Sequence, residues 1–126
     1  MSASTDAIRI LAVDDHPMFR ESLAMVLGTQ PDMNLVAEAS NGREAIQQFR
    51  QHRPDITLMD LQMPAMNGLD AMVAIRGEFP DAKIIILTTY ENDAQNAVKQ
   101  GARAYLLKTH LDQELFRTIR AVQAGK

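Results

Sequence analysis

The sequence predicts a doubly wound, three-layer α/β/α domain: a five-stranded parallel sheet covered by helices on both faces. Three observations carry this. Five short apolar runs alternate strictly with segments of helical spacing. Three of those runs, ILAV, IIIL and YLL, are almost unbroken in apolar residues, as suits parallel strands buried on both faces. Turn residues stand at the joints between the runs.

In chain order, strands are expected over Ile8 to Val13, Met33 to Glu38, Asp55 to Met59, Lys83 to Leu87 and Ala104 to Leu107. The second run is the most mixed and suits an edge. Apolar residues at helical spacing follow each strand: Phe19, Leu23, Val26 and Leu27; Ala45, Ile46 and Phe49; Leu69, Met72, Val73 and Ile75; Ala94, Ala97 and Val98; Leu115, Ile119 and Val122. Gly28 and Gly101 close helices, Asn41-Gly42 and Asn67-Gly68 open them, and Pro54 and Pro80 lead into strands.

A chain of 126 residues, 46% of them hydrophobic, suits one domain with its own core. Residues 1–7 are expected to be a disordered tail, 8–123 the folded domain and 124–126 the start of a linker. With no cysteine there is no disulfide, thiolate metal site or thiol nucleophile. The net charge of −3 is spread along the chain with no basic stripe, which argues against nucleic-acid binding by these residues. No secretory profile opens the sequence and no apolar stretch reaches membrane-spanning length, so a cytoplasmic protein without membrane contact is expected.

In doubly wound sheets, ligands bind beyond the carboxyl ends of the strands, where strand order reverses. The polar residues that end the apolar runs are Asp14 and Asp15, Asp60, Thr88, and Lys108. Each has a bland reading. Asp15 before His16-Pro17 reads equally as a helix cap, Thr88 as a strand terminus and Lys108 as a solvated surface lysine. Asp60, directly before Leu61-Gln62-Met63-Pro64, has no evident structural task. All of them at one sheet edge by chance is far less probable than any one.

Three converging carboxylates repel unless some take up protons or a cation lies among them. With no histidine or cysteine expected nearby, hard oxygen donors point to Mg²⁺, with Asp15 and Asp60 as direct ligands and Asp14 acting through water. A carboxylate is also a nucleophile toward phosphorus, and phosphoryl transfer demands mainly positioning and charge neutralisation. Asp60 is therefore the candidate phosphoacceptor. Lys108 would neutralise charge and Thr88 would bond a phosphoryl oxygen. A phosphatase using Asp60 is disfavoured because Gln62 stands where a general acid would be needed. A flavin- or nucleotide-binding module is disfavoured because Asp14-Asp15 replaces a glycine-rich phosphate loop.

The motifs VDDHP, DITLMDLQMPAMNGLDA, IIILTTY and GARAYLLKT, in this order and spacing, resemble the receiver domain of two-component response regulators from Ile8 to Gln123. DHPMFRESL, GARAYLLKT and the closing EL..TIRAV..G resemble the NarL/FixJ subgroup, which carries a LuxR-type helix-turn-helix. The resemblance implies a flavodoxin-like, CheY-like sheet order of 2-1-3-4-5. It implies Asp60 as phosphoacceptor, Asp14 and Asp15 as the acidic pair at Mg²⁺, the Gln62 carbonyl as a further metal ligand, Thr88 as switch hydroxyl and Lys108 as phosphate-pairing lysine. It makes Tyr105 the aromatic that turns inward on activation, against the bland reading of a half-buried sheet residue. It assigns Gln62 and Tyr90 to tuning dephosphorylation, against plain exposed loop residues.

Implied partners are a histidine kinase, a second copy in a phosphorylation-dependent homodimer, and DNA only through an output domain. Thr109 stands where many receivers have a cis proline, so no cis bond is expected there.

Overall fold

The computed structural model describes residues 7–125. Five strands alternate with five helices: β1 (Ile8–Val13), α1 (Pro17–Leu27), β2 (Met33–Ala39), α2 (Gly42–His52), β3 (Ile56–Asp60), α3 (Gly68–Glu78), β4 (Ile84–Thr88), α4 (Glu91–Lys99), β5 (Ala104–Leu107) and α5 (Leu111–Gln123). A single 3-10 turn over Lys108–His110 joins β5 to α5. All pairings are parallel, in the order β2-β1-β3-β4-β5. The expected order holds, and β2 is indeed an edge.

Side chains alternate across the sheet and build two cores. Leu11, Val13, Met59, Ile84 and Ile86 meet α2, α3 and α4 through Ala45, Phe49, Met72, Ile75 and Ala97. Ile10, Ala12, Leu58, Ile85 and Leu87 meet α1 and α5 through Leu23, Leu27, Leu115 and Ile119. The two central strands β3 and β4 are buried at every position. Val26, Val73 and Val98, expected on the buried helix faces, are exposed. They sit at the flanks of stripes whose centres are filled by Leu27, Met72 and Ala97.

β3 and β4 each start and end one residue later than the apolar pattern predicts. Asp60 pairs with Leu87 and Thr88 with Leu107, because backbone pairing is indifferent to side-chain polarity. The two candidate residues thus belong to the rigid sheet and not to the loops after it. At the helix starts, Asn41 accepts from the Glu44 N–H and Asn67 from the Asp70 N–H, as capping asparagines do. Gly101 uses its freedom at φ +126°, whereas Gly28 ends α1 at an ordinary φ of −64°. Every peptide bond among the described residues, that after Lys108 included, is trans. The proposed tail falls on residues 1–6, outside the described residues, and on Ala7.

Candidate functional site at the carboxyl edge of the sheet

Strand order reverses between β1 and β3, where Asp14 directly follows β1 and Asp60 ends β3. Burial there is nearly complete: Asp14 is 0% exposed, Asp60 3% and Thr88, ending β4, 1%. Lys108 begins the turn after β5 and reaches back across the edge. Its Nζ donates to Asp14 Oδ2 at 2.8 Å and lies 3.4 Å from Asp60 Oδ1. Its ammonium also sits 4.5 Å from the centre of the Phe19 ring on α1, a favourable cation–π placement. The lysine is therefore held from two sides and is not a solvated surface residue.

His16 was not foreseen in this site. From sequence no histidine is expected near the carboxylates, yet His16 Nδ1 lies 2.9 Å from Asp14 Oδ1 and 3.0 Å from Asp15 Oδ1. The His16 backbone N–H also donates to Asp14 Oδ1, at 2.8 Å. Asp14, Asp15, His16 and Asp60 each present a donor atom within 4.8 Å of the others. The helix-cap reading of Asp15 fails as well. His16 is the capping residue of α1, no side chain caps that end, and Pro17 at the first helical position needs no N–H partner.

Two cationic or donor groups of the chain itself thus temper the carboxylate repulsion, Lys108 from one side and His16 from the other. They do not balance it fully. Burial raises the pKa of Asp60, and the charge of Asp14 adds to the rise, while Lys108 and the Gln62 backbone N–H act in the opposite sense. Asp15 Oδ1 is buried and accepts no hydrogen bond, apart from its close contact with the His16 ring. Three carboxylates with an orphaned buried oxygen fit a hard divalent cation such as Mg²⁺, for which Asp14, Asp15 and Asp60 would be the holding residues. The Gln62 side chain is exposed, and its main chain is what approaches Asp60.

The other foreseen residues make their contacts elsewhere. The Thr88 hydroxyl accepts from the Tyr90 N–H at 3.2 Å. Tyr105 is half-buried on β5, and its hydroxyl donates to Glu91 Oε2 at 3.4 Å. Tyr90 is exposed at the start of α4. Three further residues build the site without having been singled out. Phe19 flanks Lys108, Arg20 donates from Nη1 to the Asp14 carbonyl, and Gly68 leaves room for the Asp60 carbonyl. The VDDHP adjacency was a usable signal for His16. Phe19 and Arg20 were legible only as parts of a helix, and Gly68 only as part of a turn.

A cavity of about 460 Å³ adjoins the site between α1 and α5, lined by Phe19, Leu23, Val26, Lys108, Leu111 and Leu115 among others. It is mostly apolar and lies behind Lys108, away from the carboxylates. No helix among the described residues is long and apolar enough to cross a membrane.

Residues 10–120 match the family described as response regulator receiver domain. The chain is 39% identical over 123 residues to the uncharacterized transcriptional regulatory protein YxjL of Bacillus subtilis (strain 168), covering 96% of this chain and 56% of that one. It is 39% identical over 122 residues to the oxygen regulatory protein NreC of Staphylococcus epidermidis (strain RP62A), covering 94% of this chain and 56% of the relative. The chain thus spans about half the length of the curated relatives it matches. Among solved structures, a LuxR-family two-component response regulator from Aurantimonas sp. SI85-9A1 superposes with a TM-score of 0.90 at 36% identity, covering 95% of this chain and 87% of that one.

Proposed function

The chain belongs to the response regulator receiver domain family of two-component systems, and from that premise we propose that it is a phosphorylation-driven signalling switch whose phosphoacceptor is Asp60. The observation that carries the reading is a carboxylate on the last residue of a central strand, 3% exposed, with a lysine ammonium 3.4 Å from its Oδ1 and two further carboxylates in the same cluster. The donor is a phosphohistidine of a histidine kinase. An Asp60 carboxylate oxygen attacks phosphorus, the new O–P bond forms as the P–N bond breaks, and the imidazole leaves with the electron pair.

Bound Mg²⁺ would supply positive charge to the phosphoryl oxygens. Asp14, Asp15 and Asp60 would hold it, with the Gln62 carbonyl as a further ligand. Lys108 is already within reach of Asp60, and its bond to Asp14 would be exchanged for one to the phosphoryl group. Thr88 would give up the Tyr90 N–H and bond a phosphoryl oxygen, and Tyr105 would leave Glu91 to follow it. That exchange shifts an equilibrium between two arrangements of α4, β5 and α5. Gln62 and Tyr90, both exposed beside the site, would set the rate at which water removes the phosphoryl group. The chain then catalyses only its own phosphorylation and dephosphorylation.

Relatives named as transcription regulators support an output through DNA. The folded unit of residues 8–123 would act on a LuxR-type helix-turn-helix domain through a linker beginning at 124–126, in the cytoplasm and with a phosphorylation-dependent homodimer as one form of the output. The test is direct. With Mg²⁺ and acetyl phosphate, the wild type should gain one phosphoryl mass by intact-mass spectrometry, and Asp60→Asn should gain none. Equal labelling of the variant would overturn the assignment.

A further inference from the structure

His16 stands over the carboxylates with more contacts than a residue of that exposure needs. Its ring Nδ1 is 2.9 Å from Asp14 Oδ1 and 3.0 Å from Asp15 Oδ1, while the side chain is 67% exposed. Carboxylates accept only, so the nitrogen facing both of them carries the ring proton. A divalent cation held by the same carboxylates would compete with that N–H for their oxygens.

We infer that His16 is a displaceable latch on the metal pocket: its Nδ1–H bonds Asp14 Oδ1 and its ring lies against Asp15 Oδ1, in competition with a divalent cation for those carboxylates, and so lowers the affinity of the site. This rests on reading the acidic cluster as a divalent-cation site. The local structure lets the ring move alone. The His16 backbone N–H keeps its own bond to Asp14 Oδ1, at 2.8 Å, when the ring leaves. Behind it, α1 stays seated through buried Leu23 and Leu27 and through Arg20, which donates to the Asp14 carbonyl. Asp15 Oδ1 has no hydrogen bond to give up, only its 3.0 Å contact with the ring. Opening the pocket therefore costs one partly exposed hydrogen bond and the contact beside it, and returns the ring to water.

The test is calorimetric titration of Mg²⁺ into wild type, His16→Ala and His16→Phe, with Asp15→Asn as control. Phenylalanine keeps the ring's bulk and removes its donor. Both His16 variants should bind more tightly than wild type by roughly ten-fold or more, the worth of one displaced hydrogen bond to a charged group. In wild type the His16 ring resonances should shift with the calorimetric midpoint, while those of His52 and His110 stay in place. Unchanged affinity in both variants would overturn the latch, as would weaker binding, which would make the imidazole a ligand. Tightening in His16→Ala alone would also overturn it, in favour of simple steric cover. If wild type itself shows no binding that Asp15→Asn removes, the cation-site reading falls first, and that outcome is separate from failure of the latch.

Discussion

Gly68, the first residue of α3, lies so close to Asp60 that a Cβ on it would stand 2.0 Å from the Asp60 carbonyl oxygen. The Gly68 N–H also donates to the Leu61 carbonyl at 2.9 Å, so the end of β3 and the start of α3 are held together through the backbone. The loop between them contains Ala65 at φ +67°, a conformation that an L side chain adopts at a cost. The backbone that carries Asp60 is thus fixed by close packing on its far side.

Gly68→Ala should therefore be strongly destabilising, by about 3 kcal/mol, the upper range for an overpacked site. The clash is with the Asp60–Leu61 backbone, so no rotamer change relieves it. Urea unfolding measures the loss, and phosphorylation of the surviving folded fraction should be slowed because Asp60 shifts with its carbonyl. Wild-type stability in this variant would refute the close approach.

Asp60 has a raised pKa in the fold, with burial as the leading cause. Such a group contributes stability while protonated. That contribution is complete below the unfolded value of 3.8 and is lost as pH rises through the higher folded value. At neutral pH the ionised carboxylate therefore counts against the folded state. In Mg²⁺-free buffer, Asp60→Asn should unfold at higher urea than wild type at pH 7, and the gap should close as pH falls toward 4. A gap that widens on acidification would contradict the assignment.

Lys108→Met should cost about 2 kcal/mol, because Asp14 is 0% exposed and loses its 2.8 Å partner. Methionine keeps an apolar side chain of similar length, so the loss reports the ammonium, its contact with the Phe19 ring included. Denaturant unfolding of this variant and of Phe19→Leu separates the two contributions. Acetyl phosphate should still label Asp60 in Lys108→Met, more slowly.

Thr57 is the second residue of β3, with its hydroxyl buried and unpartnered. Thr57→Val replaces that hydroxyl by a methyl of nearly the same shape and should stabilise the protein by about 1 kcal/mol. Melting should rise by a few degrees, and labelling of Asp60 should be unchanged. A lower melting temperature would show that the hydroxyl has a partner in solution.

Local sequence was enough for the alternating strands and helices because their determinants are local, whereas the lateral order of the strands came from the family resemblance. An unbroken apolar run such as IIIL says that a strand is buried on both faces, and Asn67-Gly68 says that a helix begins. The strand ends were one residue out at Asp60 and Thr88, since the ladder continues through polar residues that the apolar pattern excludes. The polar residues at those ends were legible for the same reason: each interrupts a run.

Which of them meet was decided only by the tertiary structure. Lys108 bonds Asp14 across 94 positions of sequence, a contact set by the lateral order of the strands and the length of one side chain. Thr88 and Tyr90 lie at the edge and Tyr105 within β5, but Thr88 bonds the Tyr90 N–H, Tyr105 bonds Glu91 and the Tyr90 side chain is exposed. His16 reads in sequence as the residue before a helix-starting proline. Only the turn out of β1 brings its ring over Asp14 and Asp15, where hydrogen bonding to buried charge gives it a task that residue type alone does not reveal.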